Sequence, residues 1–224
     1  MGQTASASLP SSTRSSSVAS VSLPPSGPQW KYDVFLSFRG EDTRKGFLSH
    51  LYHELQYTRI NTFKDDKELE VGAPISPSLL KAIEESRLAI VVLSPNYASS
   101  SWCLEELRKI AQCMIDNNRI LPLFYHMDTS DVRKQKGSFE EAFIKHENSL
   151  RHKNNVQYWR DALVKVASFS GWHTQNYRTE RQLVEDIVEY VCNKVQPIEI
   201  EFATSTVEFE AFEATREAMD NEDA

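Results

Sequence analysis

Short apolar segments alternate along this chain with segments whose apolar residues recur at helical spacing. Residues 32–38 form the first apolar run, and residues 47–55 follow it with apolar residues three and four positions apart. The run 88–93 contains no polar residue, which is typical of a strand buried on both faces of a parallel sheet. Residues 120–125 form another run, in which Pro122 favours an outer position. The alternation predicts an α/β fold, a parallel sheet with helices on both faces and ligand sites at the carboxyl ends of its strands.

The remaining elements follow from the same two periodicities. Asp42 or Thr43 is expected to cap the helix through residues 47–55, because short polar side chains satisfy the first backbone N–H groups of a helix. A short strand is predicted at residues 60–63, and helices are predicted at about 74–85, 99–117, 138–147, 155–169 and 180–195.

Composition divides the chain into three parts. Residues 1–29 contain ten Ser, four Pro and no acidic residue, so they cannot bury enough apolar surface to offset their ordering entropy and are predicted to be disordered. Residues 30–196 form the predicted folded domain. Residues 197–224 form a tail with nine acidic residues and one Arg, which leaves a formal charge of +1 for the preceding residues, out of −7 for the whole chain. The domain therefore has no basic excess, and stable nucleic-acid binding is not expected.

Several function classes are excluded by what the sequence lacks. The seven glycines form neither a G-x-G-x-x-G motif nor a P-loop, and the three cysteines include no C-x-x-C pair. The odd cysteine count favours reduced thiols in the cytoplasm. No apolar run approaches the ~18 residues of a membrane span. Residues 1–6 fit an N-myristoylation pattern at Gly2, but one acyl chain binds membranes only marginally, at about 10⁴ M⁻¹, so stable membrane attachment is not expected.

The start of the helix predicted at 99–117 holds the most unusual cluster of side chains. Glu106 lies one turn after Trp102, at the border of the apolar stripe, whereas Glu105 precedes Lys109 by four residues and is expected to pair with it at the surface. A carboxylate beside an indole at the mouth of a cleft is a candidate for a raised pKa and a functional role. The local pattern leaves a second interpretation open, in which both glutamates only complement the helix dipole.

Four segments in sequence order resemble the motifs of plant Toll/interleukin receptor (TIR) domains. They are residues 32–44, 80–86, 101–107 and 130–139. The resemblance covers about residues 30–196. It implies a flavodoxin-like fold with five parallel strands and helices on both faces, in agreement with the alternation of strands and helices. Two forms are compatible with it, a TIR-only protein and the N-terminal TIR region of a nucleotide-binding leucine-rich-repeat immune receptor.

The resemblance also implies an activity. Members of this family cleave NAD+ or NADP+ after self-association, in defence signalling, and these nucleotides are substrates, so no cofactor is expected. The family's catalytic Glu matches Glu106. Other matches imply roles in binding the nicotinamide ribose and in contacts between TIR domains. The ribose positions match Arg39, Gly40, Ser100 and Trp102, and the interface motif matches Ser49 and His50.

The sequence departs from the family at a few positions. Val71 stands where Arg is usual, in a loop that closes over a neighbour's active site in family assemblies, and Arg59 stands where Gly is common. Thr129 replaces a Pro. His53 lies three residues after His50, but no third ligand is placed nearby, so no metal site is predicted.

Two alternatives to the nucleosidase remain. The Val71 departure is compatible with a catalytically weak TIR adaptor or decoy that acts through TIR–TIR contacts with itself or other TIR domains. A nucleic-acid-dependent cyclic-nucleotide synthetase would involve Cys103, but the charge of the domain gives it little electrostatic support. The expected location is the cytoplasm, with the nucleus as a second compartment.

Overall fold

A computed structural model describes residues 30–65 and 76–195, which form a five-stranded parallel sheet with helices on both faces. The strand order is β2-β1-β3-β4-β5. This confirms the predicted fold and places the uninterrupted apolar run at the centre of the sheet. The strands are β1 (Tyr32–Phe38), β2 (Thr62–Lys64), β3 (Ser86–Leu93), β4 (Ile120–Phe124) and β5 (Trp172–His173).

Helices connect the strands of this described part of the chain. The predicted helices at 138–147 and 180–195 match the structure residue for residue, whereas a six-residue helix after β4 and the two-residue strand β5 were not predicted from the residues themselves. The helices are α1 (Gly40–Thr43), α2 (Phe47–Tyr57), α3 (Pro77–Glu84), α4 (Ser101–Met114), α5 (Thr129–Lys134), α6 (Ser138–Glu147), α7 (Val156–Ala167) and α8 (Glu180–Val195).

Side-chain alternation along the central strands divides the core into two layers. Successive residues of a strand point to opposite faces, so each of β1 and β3 supplies both layers. One layer packs against α3, α4, α6 and α7, and the other packs against α2 and α8. From β3, the first layer takes Ala89, Val91 and Leu93, and the second takes Leu88, Ile90 and Val92.

Pro122 of β4 lies at a position where the strand has no partner on its β5 side. β4 lies between β3 and β5, but β5 pairs only with Leu123 and Phe124, so Pro122 has no register partner on that side. A Cβ atom at Gly171 would lie 2.0 Å from the Pro122 carbonyl oxygen. The close approach of the chain to β4 at this point therefore requires glycine.

The predicted cap of α2 is wrong. Gly46 precedes α2, and no side chain caps it. Asp42 instead accepts hydrogen bonds from Ser94 Oγ and from the backbone N–H of Asn96 at 3.2 Å, which tie the loop after β1 to the loop after β3. Thr43 Oγ1 donates to the Arg39 carbonyl at 3.1 Å. Asp42 and Thr43 therefore hold the loop after β1 in place and do not cap α2.

Other predicted boundaries shift by a few residues, and some predictions cannot be compared. β2 begins at Thr62 rather than at residue 60, and α3 begins at Pro77. The predicted disordered segment 1–29, the tail 197–224 and the loop position Val71 lie outside the described residues. No helix among the described residues is long and apolar enough to cross a membrane.

Arg59 generates a stability prediction. Its φ of 63° lies in the left-handed region, which is unfavourable for a side chain with a Cβ and explains why Gly is common in the family at this position. We expect Arg59→Gly to raise the free energy of unfolding by about 0.5–1 kcal/mol, because relief of strain exceeds the entropy that glycine loses on folding. Arg59→Ala keeps the strain and serves as the control. Urea denaturation in which Arg59→Gly is no more stable than Arg59→Ala would contradict this account.

Candidate functional site

Two elements place polar side chains together beneath the carboxyl edge of the sheet. Ser37 has the same strand parity as Phe35, so it faces the layer that holds α4, and it is fully buried. Helix α4 begins at Ser101 after the loop that follows β3, and its second turn brings Glu106 to the end of β1. The site therefore lies where ligands bind in open parallel sheets.

The Glu106 carboxyl is buried and hydrogen-bonded at both oxygens. Only 4% of the residue is exposed. Trp102 Nε1 donates to Oε1 at 2.7 Å, as expected for residues one helical turn apart, and Ser37 Oγ donates to Oε2 at 2.9 Å. The predicted proximity of Glu106 to Trp102 is confirmed. The expected position of Glu106 at the border of the apolar stripe is wrong, because Ser37 of β1 covers the second oxygen and the residue is buried.

Burial changes the protonation of Glu106. Removal from water disfavours the charged form and raises the pKa of Glu106 from 4.5 to about 8. The negative charge of Asp65, just after β2, also raises this pKa, whereas the hydrogen bonds from Ser37 and Trp102 lower it. The carboxyl is therefore mostly protonated at neutral pH in the free protein.

Tyr97 and Cys103 extend the polar cluster inwards. The Tyr97 hydroxyl lies 2.8 Å from Ser37 Oγ and donates to the Cys103 carbonyl oxygen at 3.0 Å. Burial raises the pKa of Tyr97 well above 10.0 and that of the Cys103 thiol to about 12. The Cys103 thiol contacts the Phe38 carbonyl oxygen at 3.5 Å. Cys103 is therefore a buried, protonated thiol, and the structure gives no support to its role in a synthetase reaction.

Of the four predicted ribose-binding residues, Trp102 is the one that contacts this carboxyl. Trp102 contacts Glu106 directly, and the Ser100 hydroxyl accepts the backbone N–H of Cys103 at 3.2 Å as the cap of α4. Arg39 binds elsewhere: its Nε lies 3.5 Å from Asp42 Oδ1, and it also pairs with Glu41. Gly40 opens α1, next to the Arg44 guanidinium. The structure thus joins Trp102 to Glu106, and places Arg39 and Gly40 in the loop after β1.

The predicted pairing of Glu105 with Lys109 is wrong. Glu105 pairs with Arg108, one turn away, and accepts a hydrogen bond from Trp159 Nε1 of α7 at 2.7 Å. Lys109 pairs instead with Glu84 of α3. Glu105 therefore connects α4 to α7, on a different side of the helix from the Glu106 carboxyl.

The predicted self-association residues lie across the sheet from Glu106. Ser49 and His50 are exposed on α2, whose buried residues belong to the core layer shared with α8, whereas α4 belongs to the other layer. His53 is also exposed on α2. No group of three or more side chains that could hold a metal ion occurs in residues 30–65 and 76–195.

Sequence reasoning missed Ser37 and Tyr97. Ser37 is the one polar residue in the buried part of β1, residues 34–38, and it stands at a core-facing position, which is a signal that the sequence of β1 contains. Tyr97 lies 60 residues away from Ser37 in the chain, and no local pattern connects them.

Comparison with known proteins finds that the chain is similar to one part of plant disease-resistance proteins. A sequence model of the TIR domain family matches residues 31–209. The chain is 48% identical over 187 residues to disease resistance protein RPV1 of Vitis rotundifolia, with 83% of this chain and 13% of RPV1 aligned. It is 46% identical over 184 residues to TMV resistance protein N of Nicotiana glutinosa, with 81% of this chain and 16% of that protein aligned. The chain thus spans about a seventh of the length of these relatives.

The chain is also similar to a solved structure. The chain resembles the TIR domains of the activated Roq1 resistosome, which directly recognises the pathogen effector XopQ, with 48% sequence identity and a TM-score of 0.64. The match covers 72% of this chain and 99% of the Roq1 chain.

The buried carboxyl generates a prediction on stability against pH. Between about pH 4.5 and 8 the folded protein keeps the Glu106 proton that the unfolded chain releases. The contribution of this group to the free energy of unfolding is therefore complete below pH 4.5 and is lost as the pH rises through 8. Because Gln does not titrate, we expect the stability of Glu106→Gln to rise relative to that of the wild type by up to about 1.4 kcal/mol per pH unit between these two values. The other titrating groups are shared, so the difference in free energy of unfolding isolates Glu106. A difference independent of pH would contradict the burial account.

Proposed function

The chain belongs to the TIR domain family, and on this premise we propose that it cleaves the bond between nicotinamide and ribose in NAD+ or NADP+ to make nucleotides for plant defence signalling. The observation that carries the proposal is the Glu106 carboxyl, held between Trp102 and Ser37 at the carboxyl edge of the sheet. NAD+ or NADP+ is the substrate, and the chemistry needs no cofactor.

One carboxylate is sufficient for this reaction. Nicotinamide leaves with the bonding electron pair as a neutral ring, so no acid has to protonate it. The ribose C1′ becomes an oxocarbenium-like centre, and a nearby carboxylate stabilises its positive charge. Water then adds to C1′ and releases a proton, which gives ADP-ribose from NAD+ or ADP-ribose 2′-phosphate from NADP+. Alternatively, a hydroxyl or ring nitrogen of the same nucleotide adds to C1′ and, after loss of a proton, gives a cyclic product.

The raised pKa of Glu106 fits the charge of this substrate. A protonated carboxyl cannot stabilise an oxocarbenium centre, but the cationic nicotinamide ring beside Glu106 would favour its ionised form. Substrate binding would therefore release a proton near neutral pH. The half-buried indole of Trp102 lies next to the carboxyl and offers an apolar surface for the ring or the ribose. Arg39, Gly40 and Ser100 are proposed to contact the ribose and the rest of the nucleotide.

A second candidate function is signalling through TIR–TIR contacts with weak or no catalysis. The exposed Ser49 and His50 on α2 favour it, because they leave a contact surface across the sheet from Glu106. The related Roq1 TIR domains belong to an activated resistosome.

We propose that this chain associates with itself and with other TIR domains, in the cytoplasm or the nucleus, and that association increases NAD+ cleavage. No stable partnership with nucleic acid or membrane is proposed.

The catalytic assignment is tested by a matched pair of substitutions. We expect Glu106→Gln to lower the rate of NAD+ consumption by about 10²–10³-fold, because it removes the charge that stabilises the transition state while keeping the shape of the side chain. Glu105→Gln changes a neighbouring glutamate that contacts Trp159 and Arg108 instead, so its rate should stay within a few-fold of the wild type. Chromatography would quantify nicotinamide and identify the nucleotide product, and circular dichroism would confirm folding. Equal rates in the two variants would overturn the assignment.

The association proposal is tested on α2. We expect His50→Ala to weaken self-association by about tenfold, because a side chain at an interface can contribute more than about 1 kcal/mol to binding. At equal protein concentration the variant should also cleave NAD+ more slowly than the wild type. His53→Ala removes another exposed imidazole from α2 and is the control. Light scattering and the concentration dependence of the rate are the measurements. Unchanged association in His50→Ala, or equal weakening in His53→Ala, would exclude a specific contact at His50.

A further inference from the structure

Four buried polar groups behind the candidate site are linked by a continuous series of hydrogen-bonding contacts. The series runs from the Cys103 carbonyl oxygen to the Tyr97 hydroxyl at 3.0 Å, to Ser37 Oγ at 2.8 Å and to Glu106 Oε2 at 2.9 Å. Ser37 and Tyr97 are fully buried, so water does not complete their hydrogen bonds from outside the protein. Every contact in this series therefore depends on the hydrogens that these four groups carry themselves.

The number of hydrogens depends on the charge of Glu106. Ser37 and Tyr97 each carry one hydroxyl hydrogen, and the Cys103 carbonyl carries none, so an ionised Glu106 leaves two hydrogens for three contacts. A protonated Glu106 adds the third hydrogen. Glu106 then donates to Ser37, Ser37 to Tyr97, and Tyr97 to the Cys103 carbonyl, and all three contacts are hydrogen bonds.

From this count we propose that Tyr97 and Ser37 form a hydroxyl relay that controls the protonation of Glu106. Both are positioning residues. In the neutral form, the relay runs from Glu106 to the Cys103 carbonyl. When Glu106 ionises, Ser37 donates to the carboxylate and Tyr97 turns to donate to Ser37, so the Cys103 carbonyl loses its contact with the hydroxyl. The importance of the relay for catalysis rests on the proposed nucleosidase activity, whereas the control of protonation does not.

Bond counting gives the direction of the effect of Tyr97. The wild type has one more hydrogen bond within the relay when Glu106 is neutral than when it is ionised. Without the Tyr97 hydroxyl, the relay shrinks to a single hydrogen bond between Ser37 and Glu106 in either form, so the neutral form loses its advantage. The Tyr97 hydroxyl therefore favours the protonated carboxyl, and it acts only through Ser37.

The charged and titratable groups around Glu106 other than Tyr97 do not replace the relay. Burial raises the pKa of Tyr97 and raises that of the Cys103 thiol to about 12, so both keep their hydrogens while Glu106 titrates. Asp65 acts on Glu106 through its charge. Arg39 and Asp42 act on the Cys103 thiol through their charges. None of these side chains except Tyr97 hydrogen-bonds to Ser37 in the described residues.

The test is a carbon-13 NMR titration of the Glu106 carboxyl, assigned by its absence from the spectrum of Glu106→Gln. We expect Tyr97→Phe to lower the pKa of Glu106 by about one pH unit, the value of roughly one hydrogen bond. In a Ser37→Ala background the same change should leave this pKa within about 0.3 units, because the route to Glu106 is interrupted. An unchanged or raised pKa in Tyr97→Phe, or an equal fall in both backgrounds, would overturn the relay.

A second measurement uses the unsubstituted protein and applies even if a variant fails to fold. The carbonyl carbon-13 resonance of Cys103 should shift with the same midpoint as the Glu106 carboxyl, because the Tyr97 hydroxyl leaves the Cys103 oxygen when Glu106 ionises. A Cys103 carbonyl that does not respond to this titration would contradict the proposal. Both measurements are made without substrate. A protein that shows the relay but cleaves no NAD+ would therefore refute the proposed function alone, and the opposite result would refute the relay alone.

Discussion

The burial of one carboxyl group between β1 and α4 is the interaction on which the rest of the site depends. Glu106 is 4% exposed, and each carboxyl oxygen has one hydrogen-bond partner, Trp102 or Ser37. An isolated ionised carboxylate at such a position would be costly, so the group keeps its proton at neutral pH until a cation approaches. The same burial that keeps this carboxyl uncharged in the free protein would thus suit it to the cationic substrate that we propose.

The architecture separates the Glu106 carboxyl from the contact surface that we propose on α2. The central sheet divides the core into two layers, with Glu106 on the α4 side and the exposed His50 on α2, on the other side. Substitutions on α2 can therefore be interpreted apart from changes at the carboxyl. Asp42 connects the loops after β1 and β3 through Ser94 and Asn96, and so fixes the edge of the sheet around the site.

The sequence predicts what depends on local periodicity and misses what depends on distant contacts. The central strand follows from an apolar run, and the contact of Glu106 with Trp102 follows from helical spacing. The Tyr97 contact to Ser37 joins residues 60 positions apart, which no local pattern shows. The expected pairing of Glu105 failed for the same reason, since Trp159 lies close to this carboxylate only in the folded protein. The proposed role of Glu106 rests on the family resemblance, because its local pattern left two interpretations open.

The central claim is that the buried carboxyl of Glu106 must ionise to act. The most direct measurement is the pH dependence of kcat/KM for nicotinamide release by the unsubstituted protein, which reports the ionisation of the free enzyme. The account predicts a rise of about tenfold per pH unit below pH 7 and a plateau above a midpoint near 8. A rate constant that is flat between pH 6 and 9, or that falls as the pH rises, would contradict it.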